Sequence, residues 1–238
     1  MHADIEAIAA SGVHAASAIT CLTVQDTHNV IRLVPTDSAL FRQQANAVLN
    51  DLPVAAIKIG LIGSASICRE IVELLEEHPY IPVVLDPVLA AGGGNDLAGD
   101  ELVQSIRSDL LPLVFLATPN SEEARRLSGK EDLADAASEI LSIGCNNLLI
   151  TGAHENSDEV INTLYQGSVE KSQSLEWPRL PHNYHGSGCT LAAAIASRIS
   201  LGLPITQAVS EAQKYTWNSL ERANRFGSGQ ALPSRLPE

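Results

Sequence analysis

Five short, almost wholly apolar runs recur along the chain, each separated from the next by a stretch of helical periodicity. No other feature restricts the fold as much. The runs cover residues 18–24, 55–59, 83–85, 113–116 and 147–150. Strands that read as continuously apolar are buried on both faces, as in a parallel sheet covered by helices. Between them, Ile67, Ile71, Leu74 and Leu75 fall on one helical face and predict a helix over residues 64–78, capped by Ser64 or Ser66. Asp37 is placed to cap another helix carrying Leu40, Phe41, Val48 and Leu49. Pro82 and Pro112 stand just ahead of two runs, where helices have already stopped. The expected fold is α/β, with a mostly parallel central sheet and helices on both faces. Residues 1–238 are expected to form a single domain without repeats, with residues 227–238 as a poorly ordered tail. Trp177 and Trp217 are expected to pack rather than to present a stacking platform, and His14, His28, His78 and His182 show no metal spacing.

With 45% apolar residues the chain can bury a sizeable core, and its net charge is −13. Such a balance argues against nucleic acid or an anionic membrane as the main partner, because both require basic patches. A small bound anion must then be held by local N–H groups, a metal ion and a few cations. Cys21, Cys68, Cys145 and Cys189 lie far apart, with neither a CxxC pair nor zinc spacing, and a reducing cytoplasm is the expected location. No apolar run reaches membrane-spanning length, and the opening residues carry no signal-peptide pattern.

The segment His185-Gly186-Ser187-Gly188-Cys189-Thr190 runs straight into Leu191-Ala192-Ala193-Ala194-Ile195-Ala196, a strong helix former. A helix that begins behind two glycines presents bare N–H groups, and with the helix dipole these make an anion site suited to a phosphoryl group. The same field is expected to lower the thiol pKa of Cys189. The plain alternative is tight helix packing around a small core cysteine.

In parallel sheets, ligands bind outside the carboxyl ends of the strands. That rule selects Gln25, Gly60-Leu61, Asp86, Asn120 and Thr151-Gly152. Asn120 and Glu123 share a helix-start face. They suit either a magnesium ion held through its water shell or a plain capping box. Asp86 is open to a similar pair of readings, ligand or turn residue.

Taken in order, several segments resemble the hydroxymethylpyrimidine/phosphomethylpyrimidine kinases of thiamine biosynthesis, within the ribokinase-like fold. They are Ala3-Asp4-Ile5 through Gly12, Thr23-Val24-Gln25-Asp26-Thr27, Lys58-Ile59-Gly60-Leu61 and Val84-Leu85-Asp86-Pro87-Val88. Thr118-Pro119-Asn120 with Glu123, and His185 to Leu191, complete the set. The last is the most specific, because most ribokinase-like sugar kinases have Asp where this chain has Cys189. The resemblance implies an ATP-dependent kinase with Mg2+ acting on a small pyrimidine. It implies Cys189 as the base toward the substrate hydroxymethyl group and Gly186, Ser187 and Gly188 as the phosphoryl cradle. It implies Gln25, Leu61 and Val88 as the pyrimidine pocket, and Asn120, Glu123, Thr151 and Gly152 as nucleotide-side residues. Asp86 and Glu123 are implied as holding magnesium through water, and a homodimer is implied as the assembly.

The resemblance has two departures. Relatives commonly read Lys-Gly-Gly-His where this chain has Thr151-Gly152-Ala153-His154. The family also opens with a buried strand and a Gly-rich turn ahead of the helix that here begins almost at Met1. A mis-started reading frame or a truncated form is therefore expected, with the N-terminal strand missing. Two other functions compete: a pyridoxal kinase of the same fold, and a non-catalytic ligand-binding relative.

Overall fold

The computed structural model describes residues 1–236. In chain order the elements are α1 (His2–Ala9), β1 (Cys21–Gln25), β2 (Val30–Pro35), α2 (Ser38–Asp51), β3 (Ile57–Ile59), α3 (Ala65–Glu77), β4 (Val83–Leu85) and α4 (Asp100–Ser105). There follow β5 (Leu116–Ala117), α5 (Ser121–Ser128), α6 (Leu133–Ile143), β6 (Asn147–Thr151), β7 (Glu159–Gln166), β8 (Ser172–Pro178), α7 (Ser187–Ser200) and α8 (Ile205–Glu221).

The sheet order is β3-β4-β5-β6-β7-β8. The pairs from β3 to β6 are parallel, and β7 and β8 add on antiparallel. Four of the five apolar runs contribute to the parallel part. Successive side chains of a strand point to opposite faces, so both faces are built from one run. Val83, Leu85, Ala117, Leu148 and Ile150 pack beneath α3, α5 and α6. Val84, Leu116 and Leu149 pack beneath α7 and α8.

The first run is a correction. Residues 21–25 pair antiparallel with β2 in a separate two-stranded sheet rather than joining the parallel one. Leu22 and Val24 face outward from that hairpin, so its apolar character does not reflect two buried faces. Strands β7 and β8 lay outside the five runs because they are half exposed and mix polar with apolar residues.

The caps follow the sequence. Ser64 accepts from the Ile67 N–H at 3.3 Å, and Asp37 accepts from the Leu40 N–H at 2.9 Å. Trp177 and Trp217 stack on each other with centroids 6.1 Å apart.

Two further features bear on the site. Helix α1 packs along α7, and β3 forms the outer edge of the six-stranded sheet. The strand and Gly-rich turn that the resemblance implies ahead of Ala3-Asp4 are not among the described residues. The expected loose tail is also a correction. Gly229 and Gln230 donate to Thr27, Ala231 donates to the Asn183 carbonyl at 2.9 Å, and Ser234 donates to the Ser219 carbonyl at 2.9 Å. These backbone pairings lack periodicity, which is why the segment reads as irregular. Pro237 and Glu238 lie outside the described residues.

Leu148 is fully buried on the face shared with α6. Leu148→Ala should cost about 2–5 kcal/mol through lost transfer energy and an unfilled cavity. Urea unfolding measures it; a loss no greater than that of an exposed control such as Ile161→Ala would contradict this placement.

Candidate active site

Because the parallel strands end in register, their carboxyl ends lie side by side. Asp86 follows β4, Asn120 follows β5, and Thr151 ends β6; Asn120 and Thr151 form a single parallel bridge. Together they line one cavity of about 2020 Å³, which also takes in Gln25, Leu61, Val88 and Glu123. The loop Gly186-Ser187-Gly188-Cys189 lines it from the other side.

Gly186 is the N-cap of α7 and adopts φ 79°, a left-handed conformation that favours glycine. It has no side chain to cap the first N–H groups, and no acidic residue stands in the first turn. The helix start is therefore electropositive and open toward the cavity. Cys189 stands in that first turn, near enough to Asp86 for the carboxylate charge to act on its thiol. A Cβ at Gly188 would lie 3.6 Å from Asp86 Oδ1.

The expected fall of the Cys189 pKa does not occur. Burial and the adjacent Asp86 carboxylate push the thiol up to about 12, outweighing nearby Lys58. Desolvation disfavours the thiolate, and a neighbouring negative charge adds to that.

Beneath the thiol lies a group the sequence reading left without a role. Lys58 Nζ is 2.9 Å from Asp4 Oδ1 and 3.6 Å from Asp86 Oδ2, with all three side chains largely buried. Burial opposes the ammonium, but Cys189, Asp86 and Asp4 together hold its pKa above the ordinary lysine value. Asp4 is held low despite burial, chiefly by Lys58. Asp86 is raised by burial against the pull of Lys58 and the nearby Cys189 thiol. The Lys58 chain folds back so closely that its Nζ would lie 2.6 Å from a Cβ at residue 60, which accounts for Gly60. The signal was available: Lys58 is the one charge inside an otherwise apolar strand run.

Asn120 and Glu123 form a reciprocal capping box. Asn120 Oδ1 accepts from the Glu123 N–H, and Glu123 Oε2 accepts from the Asn120 N–H, both at 2.9 Å. Glu123 Oε1 also accepts from the Leu89 N–H at 3.3 Å. Burial, then the charge on Asp86, raises the Glu123 pKa to about 8. The capping reading is therefore realised, and the carboxylate still lines the cavity. Among the described residues no three His, Cys, Asp or Glu side chains gather as a metal cage. Two buried carboxylates on the cavity wall, Asp86 and Glu123, fit a divalent cation held through water, although Asp86 Oδ2 also faces the Lys58 ammonium.

The remaining expected residues divide. Gln25 lies at the open end of β1, its Nε2 3.4 Å from Nε2 of His185, which the sequence placed in the glycine segment without a role of its own. Leu61 and Val88 are partly exposed on the cavity wall. The Thr151 N–H donates to the Pro119 carbonyl at 3.0 Å, while its side chain reaches the cavity. Gly152 is buried off the cavity, and its N–H is already donated to Asn162 Oδ1 at 3.1 Å. It supports the turn rather than offering a free N–H.

A family model described as phosphomethylpyrimidine kinase matches residues 1–234. The hydroxymethylpyrimidine/phosphomethylpyrimidine kinase of Synechococcus elongatus is 36% identical, covering 97% of this chain and 89% of that protein. The thiamine biosynthesis bifunctional protein ThiED of Geobacter sulfurreducens is 33% identical over 96% of this chain, which spans only about half (48%) of that longer relative. Among solved structures, an ADP complex of Bacillus subtilis pyridoxal kinase superimposes with TM-score 0.88 at 25% identity, over 99% of this chain and 91% of that one.

Two outcomes follow from the buried charges. With its thiol pKa near 12, Cys189 should react with iodoacetamide at a rate that climbs about tenfold per pH unit between pH 7 and 9. Peptide mass spectrometry follows the site, and a plateau in that range would refute the raised value. Lys58→Met should cost about 3–5 kcal/mol at pH 8, because it strands the buried Asp86 carboxylate and leaves Asp4 only the amino terminus. In the intact protein the depressed Asp4 stabilises above its ordinary pKa, and the raised Lys58 stabilises below its own. The variant's deficit should therefore shrink as pH falls toward 4 and the carboxylates take up protons. Urea titrations at both pH values check this; a deficit that grows on acidification would contradict the pairing.

Proposed function

We propose that this chain, which belongs to the phosphomethylpyrimidine kinase family and is a phosphotransferase of thiamine biosynthesis, transfers the ATP γ-phosphoryl group to 4-amino-5-hydroxymethyl-2-methylpyrimidine and then to its monophosphate. The observation that carries the reading is the open helix start at Gly186–Cys189 facing Asp86, Asn120 and Thr151 across one cavity.

We assign the roles as follows. The pyrimidine edge hydrogen-bonds Gln25 and lies between Leu61 and Val88. Its hydroxymethyl group points at Cys189. The N–H groups of Ser187, Gly188 and Cys189, behind Gly186, receive the transferring phosphoryl oxygens, where fixed dipoles act without reorganising. Asn120 and Thr151 orient the nucleotide phosphates, Thr151 through its hydroxyl and Gly152 by holding the turn behind it. Asp86 and Glu123 would hold magnesium through its waters, and the ion would supply neutralisation of the phosphate charge.

A protonated thiol is a poor base by itself. The neighbouring Asp86, whose charge acts on the thiol, supports a relay. The substrate oxygen gives its proton to Cys189 Sγ as the thiol proton passes to the Asp86 carboxylate, and the oxygen bonds the γ-phosphorus as ADP leaves. Phosphoryl transfer needs positioning and charge neutralisation more than a strong base. The reading also takes the enzyme as a cytoplasmic homodimer. Four unpaired cysteines support the location, and the exposed Leu22, Val24 and Val34 of the β1–β2 hairpin support a second copy.

The likeness to pyridoxal kinase favours a second substrate of related shape, and parallel ADP-release assays with pyridoxal and the pyrimidine separate the two. Cys189→Ala should nearly abolish turnover while calorimetry still registers ATP binding. Gln25→Ala should raise the pyrimidine KM more than the ATP KM. Full turnover in Cys189→Ala would remove the thiol from the reaction, and nucleotide binding with no ADP release from the parent chain would favour the non-catalytic reading.

A further inference from the structure

The returning carboxyl segment carries a buried arginine directly under the phosphoryl cradle. Beyond α8, the chain is pinned by paired bonds between Asn224 and Leu232, by the His185 N–H on the Ala231 carbonyl at 3.0 Å, and by the Tyr215 hydroxyl on the Arg235 carbonyl at 2.7 Å. The Arg235 side chain is then directed beneath α7. Its Nε donates to Thr190 Oγ1 at 2.7 Å, and Nη1 pairs with Glu6 Oε2 at 3.0 Å. The Thr190 hydroxyl in turn donates to the Gly186 carbonyl at 2.7 Å. Nη2 would lie 3.1 Å from a Cβ at Gly186 and makes no hydrogen bond among the described residues.

We propose that Arg235 is a positioning residue for phosphoryl transfer. It braces the Gly186–Cys189 loop through Thr190 and places a positive charge beneath the phosphate site. The inference rests on the kinase reading above.

Three observations separate this role from plain bracing. The Gly186 carbonyl already accepts from both the N–H and the hydroxyl of Thr190, at 3.0 and 2.7 Å, so the cap closes without a cation. The guanidinium is nine-tenths buried, yet one nitrogen, against the loop, has no acceptor among the described residues. The surroundings are also acidic: Asp4, Asp86 and Glu123 line the cavity, and the chain carries −13 overall. A polyanionic phosphate therefore depends on the few cations fixed near it, and an arginine fork supplies charge in a set orientation.

Glu6 provides a test of sign. It neutralises part of the Arg235 charge, so removing its carboxylate should strengthen the field at the loop while the Nε bond to Thr190 keeps the brace. Steady-state kinetics and ATP-binding calorimetry on the full chain, with thermal melts, compare Arg235→Gln, Arg235→Lys and Glu6→Gln. Arg235→Gln should raise the ATP KM or lower kcat by about 10- to 100-fold, while the pyrimidine KM stays within about twofold. Arg235→Lys should recover part of the loss, and Glu6→Gln should hold the ATP KM at or below that of the parent. An unchanged Arg235→Gln, or a Glu6→Gln that weakens ATP as Arg235→Gln does, overturns the proposal. If Arg235→Gln fails to fold, the direction of the Glu6→Gln change decides alone. If the parent chain releases no ADP with pyrimidine, the kinase reading falls; the order of ATP affinities by calorimetry then still judges the role of Arg235.

Discussion

One ammonium group holds this site together. Lys58 rises from β3 between Asp4 of α1 and Asp86 at the end of β4, below Cys189 of α7. Four elements distant in sequence meet at that charge. A lone buried ammonium is costly, and so is a lone buried carboxylate; together they offset each other only with close geometry. The cluster therefore fixes how α1 and α7 sit against the sheet edge, and thereby where the helix start faces. The small residue at position 60 belongs to the same constraint, since the lysine chain occupies the space a side chain would need.

The second organising problem is how an acidic protein receives a more acidic ligand. Long-range steering works against it at a net charge of −13. The remedy is local. Backbone N–H groups at the start of α7 face the cavity without an acidic neighbour in that turn, and Arg235 lies beneath them. Glu123 is held so far from its ordinary range, near 8, because it is buried close to another carboxylate. That is the electrostatic setting in which a divalent cation is most favourable.

The cysteine illustrates how a correct local argument yields the wrong sign. A thiol in the first turn of a helix does sit in a positive field. That field acts over one turn, whereas desolvation and the charge on Asp86 act at the sulfur itself. The stronger terms keep the proton on. On the proposed reading the proton is handled by a thiol–carboxylate pair rather than by a free thiolate, with Asp86 as its destination.

The sequence alone determined the parallel sheet, the caps at Asp37 and Ser64, and the strand-end positions of Asp86, Asn120 and Thr151. These follow from short-range rules: two buried faces make a run continuously apolar, and parallel strands end at a common edge. The glycines before α7 were legible for the same reason, since a helix start is a local event. The hairpin β1–β2 was misassigned because an outward-facing apolar strand has the same composition as a buried one. Only the tertiary structure decided the partners of Lys58, the use of the Gly152 N–H by Asn162, the strap over residues 227–236 and the ionisation of Cys189. Each of these depends on which groups become neighbours after the chain has closed, and the energy of a buried charge is set by those neighbours rather than by the residues beside it in sequence.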